Sequence, residues 1–552
     1  MNIQYIVRSC ITFSALNILA LSAGCGKPNP VWTQSLAVLT PVAVTDGLVY
    51  VQPARSRAAI VDFSATTLQV RHAAVGPNAI LAQKRPGAAE VLVLSQGERG
   101  APGVAPVAAT VTVLDVSPSH LNPPKVYAVG SPFNAMAVTP DGRYAVIHFQ
   151  PTETLGQLLF NPNEIAVIDL TRAPSAATPA NPLTDNPVRR TVRSFGGIPN
   201  RVVFAPPTII AGSERRLAIV LSDAYITVLD LTQPDHIETT VRLTLPEDAR
   251  GIAPEQVLFD FDADRRTIYL RASLSNDIYV VRLAEEAAVM GSNDFRVSIN
   301  QLAAGRSPSD LALFGEGASR RLLVVSSGSR EVRVVDTTSN AITTLALDAP
   351  VRRALLFNGP SPRDNMVSQR ALLYSDAGSD GAQSVSFIDL TAIEQRGAQN
   401  IETVQLGRPI RLALPLPERN TVLFEHSVTS AQGRLSLLDL HRRSTAPILA
   451  EVSLDRARFS SDRRLLWVAP QGIERVGFID LNNFHPGEIR LDAAVTDVLP
   501  LPVEMGGRDR VVALHPDASG YVTLIDGTTP SRETALSSRG FLLTDALSGE
   551  NL

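Results

Sequence analysis

The sequence predicts an all-β chain, a β-propeller of about ten four-stranded blade repeats closed as one large ring or as two smaller rings. Three observations carry this: a recurring phrase, its spacing, and the strand-forming runs inside each period. The phrase is three or four apolar, mostly β-branched residues, then Asp, then usually an apolar residue, as in Ile165-Ala166-Val167-Ile168-Asp169-Leu170. It ends at Asp62, Asp115, Asp169, Asp230, Asp336, Asp389, Asp439, Asp480 and Asp526, and a tenth copy, Ile278 to Leu283, carries Arg282 in place of Asp. Successive markers lie 53, 54, 61, 52, 54, 53, 50, 41 and 46 residues apart. Propeller blades of the kelch type repeat at a similar interval, about 50 residues.

Each period holds more than one strand. A β-rich run precedes the Asp phrase, as in Tyr144-Ala145-Val146-Ile147 or Leu322-Leu323-Val324-Val325. Another precedes that, as in Ala135-Met136-Ala137-Val138, and a weaker one follows, as in Thr239 to Leu243. Four short runs separated by turn residues make one antiparallel blade. The turns agree. Thr139-Pro140-Asp141-Gly142-Arg143 sits between the first and second runs of its repeat, and Asp262 to Arg266 and Ser460 to Arg464 stand in the same place in theirs. Asp-Gly favours a hairpin because Gly adopts positive φ at no steric cost. The arginines after these turns are expected on the solvent side of the next strand.

The run Ser131 to Arg143, followed by Ile165 to Leu170, resembles the YVTN-type and LVIVD-type repeats of β-propellers. The resemblance spans roughly residues 36 to 540 and rests on a structural motif. It implies a bacterial or archaeal envelope or surface-layer protein, with lactonase-like and quinoprotein-like relatives.

Residues 1–24 have the features of an export signal. Arg8 supplies the positive start, and Ile11 to Ala23 is an apolar run of thirteen residues, shorter than the roughly 20 needed to span a bilayer. It ends in Leu21-Ser22-Ala23-Gly24-Cys25. Small residues before a Cys are similar to a bacterial lipoprotein signal, which implies Cys25 as the lipidated first residue of the mature chain. Ser22 stands where such signals usually carry Leu. Gly26 follows Cys25 in place of the Asp linked to inner-membrane retention, which points to the outer membrane. Residues 25–35 form the lipidated Cys and its tether, where Pro28 and Pro30 oppose regular structure, and residues 36–552 hold the repeats.

Beyond Cys25 there is no cysteine. Disulfides, cysteine-based zinc or iron–sulfur sites and covalent haem attachment are excluded from the mature chain. With 45% apolar residues a chain of this length can build its stability from core packing. A net charge of −4 leaves no electrostatic footprint for nucleic acid. Two Pro- and Ala-rich insertions, Arg99 to Pro106 and Arg172 to Pro182, read as surface loops, because the repeat resumes in phase after each.

Seven repeats open with Pro before the first strand: Pro77, Pro132, Pro199, Pro254, Pro308, Pro350 and Pro409. Two places on stand Ala79, Asn134, Arg201, Gln256, Asp310, Arg352 and Arg411, with Asp455 and Asp497 as the next members by pattern. First strands line the channel of a propeller, so Asn134, Arg201, Gln256, Asp310, Arg352, Arg411, Asp455 and Asp497 are expected to ring one channel mouth. Such a mixture suits a polar or protein ligand better than a metal. The competing reading is that each polar side chain bonds a neighbouring blade.

Other chemistries find little support. Asp260 to Asp264 resembles the start of a calcium loop, but Arg265 and Arg271 replace the Gly and Glu that the loop requires. It reads as a polar turn in line with Asp141 and Asp462. The marker Asp, found once per blade, is expected to cap the turn after the third strand with its carboxylate. The eight histidines show no metal-ligand spacing. Glu425-His426 is a weak pair, since neighbours on a strand point to opposite faces. No cofactor is expected. The first reading of function is a lipid-anchored, non-enzymatic propeller of the cell envelope, exported and tethered to the membrane through its lipid, whose partner is an envelope protein or a glycan and not nucleic acid. The second is a lactonase- or quinoprotein-like enzyme with a site over the central channel, and the third a structural surface-layer component.

Overall fold

The computed structural model describes residues 37–543, except 65–67, 99, 101–104, 118–121, 152–160, 176–180, 182, 194–197, 223–224, 244–253, 263–264, 273, 288–292, 361–366, 379–380, 392, 394–400, 429–433, 449–452, 471 and 504–508. The expected signal at 1–24, Cys25 and the tether to residue 35 lie outside the described residues.

Forty-two strands are described. Forty build ten four-stranded antiparallel sheets, and the other two form a hairpin, Thr208–Ile210 with Ser213–Arg215, inserted in the fourth sheet. The blades span residues 42–74, 79–130, 135–191, 199–242, 254–303, 308–346, 353–405, 410–448, 458–495 and 497–539, numbered 1 to 10 below. Strand order within each blade is sequence order.

Second and third strands are apolar on both faces because a neighbouring blade covers each face. Leu217–Ser222 is buried throughout, and Tyr144–His148 likewise. Ten apolar clusters result, one for each junction between blades. Ile60 and Val93 share one between blades 1 and 2, and Tyr269 packs with Val324 between blades 5 and 6. The cluster that decides the closure joins Leu48, Tyr50 and Val61 of blade 1 to Val512, Val522, Phe541 and Leu542 at the C-terminal end. The ten blades therefore form one ring, not two.

Among the described residues no strand pairing crosses the seam. Blade 1 takes all its strands from the N-terminal side and blade 10 all from the C-terminal side. Arg510 donates to the Phe63 carbonyl at 2.6 Å and pairs with Asp46, while Arg57 reaches the Leu542 carbonyl at 3.3 Å.

Antiparallel order sends loops to two faces. Loops between strands 1–2 and 3–4 open on one, which carries the marker Asp residues. Loops between strands 2–3 and between blades open on the other, the entry face. All nine marker Asp residues accept a backbone N–H two places on, at 2.7 to 3.1 Å, from Ser64 after Asp62 to Thr528 after Asp526. The expected cap is thus present in every blade that has the Asp. In blade 5 Arg282 instead reaches Asn340 of blade 6 at 3.4 Å.

The turn arginines depart from expectation. Arg143 is exposed, but Arg265, Arg266 and Arg464 are half-buried and reach across blade junctions. Arg265 donates to Thr337 at 3.0 Å, Arg266 to the Ile209 carbonyl at 2.9 Å and Arg464 to the Gly527 carbonyl at 2.6 Å. A guanidinium on a long apolar stem covers apolar surface and still finds an acceptor on the next blade. Asp262 accepts the Arg265 N–H at 2.8 Å, as Asp141 and Asp462 accept those of Arg143 and Arg464. Asp260 is buried and faces Arg320 at 3.1 Å. This stretch is a hairpin turn, as its alignment with the other two indicated; residues 263–264 of it lie outside the described residues.

Candidate binding site at the channel mouth

First strands of adjacent blades touch one another around the ring: Pro308–Phe314 meets both Pro254–Phe261 and Arg353–Pro360. They are therefore innermost, and their starts open on the entry face. The eight side chains expected to ring the mouth all lie at these starts, but in two alignments. Arg201, Gln256, Asp310 and Asp497 oppose Leu221, Arg271, Val325 and Leu514. Each partner stands four places after the residue paired with the blade's marker, such as Arg321 with Asp336. Asn134, Arg352, Arg411 and Asp455 sit one residue earlier, since Ala135 opposes His148, Arg353 opposes Tyr374, Leu412 opposes Glu425 and Arg458 opposes Trp467.

The cause is the proline. Pro199, Pro254 and Pro308 are the first strand residues, whereas Pro132, Pro350 and Pro409 precede their strands. A spacing counted from Pro therefore slips by one. A β-bulge at the start of five first strands, in blades 2, 4, 5, 6 and 8, softens the slip. Two residues there oppose one. In blade 7 the neighbours Arg352 and Arg353 both approach Asp376, at 3.7 and 3.0 Å.

Most of these residues bridge blades. Arg201 is exposed and donates to the Glu255 carbonyl at 3.0 Å. Gln256 donates to Asp310 at 2.9 Å, and the second Asp310 oxygen accepts the Ala354 N–H at 2.9 Å, so three blades are linked in sequence. Arg411 grips both Asp455 oxygens at 2.9 Å and meets Glu425 at 2.5 Å. Asp497 caps its own neighbour, Val498, at 2.9 Å and faces Arg458 at 3.9 Å. Asn134 closes a two-way amide bond with the Gln150 backbone, at 2.8 and 2.6 Å.

Sequence reasoning missed several members. Arg271 is buried, pairs with Glu255 and contacts Gln256 at 3.4 Å. Glu425 is fully buried between Arg411 and Arg434, and accepts the Leu454 N–H at 2.8 Å. Each is the next-to-last residue of a second strand and directly follows an apolar run, and a charge at the close of such a run is the signal that could have found them. His426, next to Glu425, turns away to Ser436 at 2.7 Å, and burial lowers its pKa. The pair is split between partners.

The mouth is unequal around its circumference. Across blades 1 to 3 amides make several of its bonds, from Asn78 to the Gly97 carbonyl at 2.6 Å, from Gln96 to the Pro132 carbonyl at 3.2 Å and in the Asn134–Gln150 pair, beside Arg57 to Gln52 at 2.6 Å and Ser131 to Glu164 at 2.5 Å. From blade 6 to blade 9 the described entry-face residues carry Arg306, Arg330, Arg333, Arg352, Arg353, Arg408, Arg411, Arg434, Arg456 and Arg458 against Asp310, Glu331, Asp348, Asp376, Glu425 and Asp455. Among these described residues the positive charges exceed the negative ones by four, on a chain whose net charge is −4. The Glu425 hydrogen bond raises the Arg411 pKa, and that Arg in turn holds the Asp455 carboxyl below its usual range. In blade 10 Ser519 and Arg539 hold Asp517 at about 2.

Among the described residues no three His, Cys, Asp or Glu side chains gather as a metal site, and no helix is long and apolar enough to cross a membrane. The sequence matches no known family model and no curated protein. Solved structures overlap it loosely. A dihydro-heme d1 dehydrogenase, NirN, in complex with DHE is 12% identical, with a TM-score of 0.39, over 76% of this chain and 73% of that one. AztD from Citrobacter koseri, in its apo form, is 10% identical, with a TM-score of 0.28, over 84% and 88%. With overlaps this loose, the propeller assignment rests on the strand order and packing of this chain.

Proposed function

We propose that this protein is a lipid-anchored, non-enzymatic propeller of the bacterial cell envelope, held at the outer membrane through Cys25, which uses the entry face of its ring as a binding scaffold for an envelope protein or a glycan. The observation that carries the reading is the mouth itself. Polar and charged side chains from eight blades stand at one rim, and most are fixed by bonds to the next blade. Preorganised polar groups lower the ordering cost of binding. Their ionic partners are one another, so the groups that catalysis would need are already committed to structure. The anchor rests on the Leu21 to Cys25 signal.

Two measurements test this. Labelling cells with a radioactive fatty acid is expected to mark the chain and to fail in Cys25→Ala, which should also leave the membrane fraction. A crosslinked pull-down from envelope extract is expected to recover a partner that is lost in Arg201→Glu/Arg352→Glu, two exposed mouth positions. Retention of the partner by that variant would remove the mouth as the working face.

A further inference from the structure

We infer that the blade 6 sector of the mouth is a recognition site for an acidic glycan, contacted first by Arg306 and Arg330. This deepens the binding-scaffold reading and rests on it. Nearly every guanidinium at the mouth is committed to a carboxylate or a carbonyl. Arg306 and Arg330 are exposed and, among the described residues, make no hydrogen bond or ion pair through their side chains. The local structure explains why they stand free. Glu331, next to Arg330, is taken by Arg333 at 2.9 Å, and Asp310, the nearest carboxylate in sequence to Arg306, accepts from Gln256 and from the Ala354 N–H, both at 2.9 Å. Gly305, at a φ of 96°, lets the interblade loop lie against that pair. A Cβ there would fall 2.8 Å from Ser326 Oγ and 2.9 Å from Glu331 Oε1. Ser307, also at positive φ, then carries the chain into the first strand.

The two loops that present these arginines are joined to each other. The Ser327 N–H and hydroxyl both bond the Ser307 carbonyl, at 2.9 and 3.1 Å, and the Gly328 N–H bonds the Arg306 carbonyl at 3.0 Å. The result is a firm surface of serine hydroxyls and backbone edges flanked by two unneutralised cations, beside the arginine excess of blades 7 to 9. Guanidinium groups bind carboxylates through paired, charge-assisted hydrogen bonds. Serine and backbone groups suit the hydroxyls of a sugar. The segments Gly305–Pro308 and Ser326–Arg330 hold no aromatic side chain, and single-stranded nucleic acid is held largely by base stacking on aromatics.

The test is titration of the full chain, extracted in mild detergent, with an alginate oligosaccharide as the acidic probe, neutral dextran as the uncharged one and an oligonucleotide as a polyanion control. Alginate is expected to bind, with affinity falling as salt screens the charges. Arg306→Ala/Arg330→Ala should weaken it by about tenfold or more, as loss of two charge-assisted contacts implies. Arg242→Ala/Arg296→Ala, on exposed outer strands and also without side-chain partners among the described residues, should leave it unchanged. Equal binding of dextran or of the oligonucleotide, equal loss in both double variants, or no alginate binding would overturn the assignment. If alginate fails while the envelope pull-down still recovers an Arg201- and Arg352-dependent partner, the glycan site is wrong and the scaffold reading stands.

Discussion

The mouth of blades 1 to 3 and the mouth of blades 6 to 9 hold their first strands in place by different means. In the first sector, Asn and Gln side chains bond backbone groups, with a few charged side chains such as Arg57 and Glu164 among them. In the second, guanidinium and carboxylate groups pair with each other. Amide bonds satisfy the exposed loop backbone and leave no field. Ion pairs hold the strands as well, but they leave a surplus of charge wherever the counts differ. One ring can thus have sectors that differ in how densely they are charged on the same scaffold.

The contrast can be broken most severely at Arg411. Arg411→Ala strips the main partner from the fully buried Glu425, and leaving a buried charge under-compensated costs about 3 kcal/mol. Urea unfolding should show that loss, and Arg411→Lys should recover part of it. In the amide sector, Asn134→Ala removes two hydrogen bonds from a half-buried site. A loss of about 1 kcal/mol is expected, smaller than at Arg411, and 1 M salt should change neither cost much, because these hydrogen bonds are uncharged and Glu425 is buried. A smaller, pH-dependent effect is expected at Asp455, which is well exposed. Its folded pKa lies below its unfolded value of about 3.9, so its contribution is present above that pH and fades as pH falls through the folded value. Wild type and Asp455→Asn should therefore differ at pH 6 and converge near pH 2 in thermal melts. The smallest effect belongs to Arg352→Ala. Its 3.7 Å pair is half-exposed, and surface pairs contribute roughly 0.5 kcal/mol or less. A stability loss above 2 kcal/mol there would show that the charged sector is a structural clamp rather than a presented surface.

Much of the fold could be read because its signals are local. The marker Asp acts two residues away, on the N–H of residues such as Thr171 and Thr391, so its cap and its period appear together in the sequence. The blade count followed from the same marker. Closure as one ring depended on Tyr50 and Val61 meeting Phe541 and Leu542, nearly five hundred residues away, where no periodicity can reach. The eight expected mouth residues lie at or just before the starts of the first strands. Their alignment was obscured because Pro308 begins its strand while Pro350 and Pro409 precede theirs. Arg265 and Arg464 looked like solvent residues since nothing in a single repeat reveals the acceptor waiting on the next. For the same reason the sequence could not separate Arg306 and Arg330 from the arginines that pair around the mouth: among the described residues, what sets these two apart there is the lack of a side-chain partner.

Because the seam between blades 1 and 10 shares no sheet, it is a junction of the same kind as the other nine. Every blade is one unbroken length of chain, and the ring has no mandatory beginning. Joining the present ends and cutting between any two blades would leave all ten sheets whole. So would removing or duplicating one complete repeat, which would change the circumference without unpairing a strand. Ring size in this architecture is set by how the wedge-shaped faces fit.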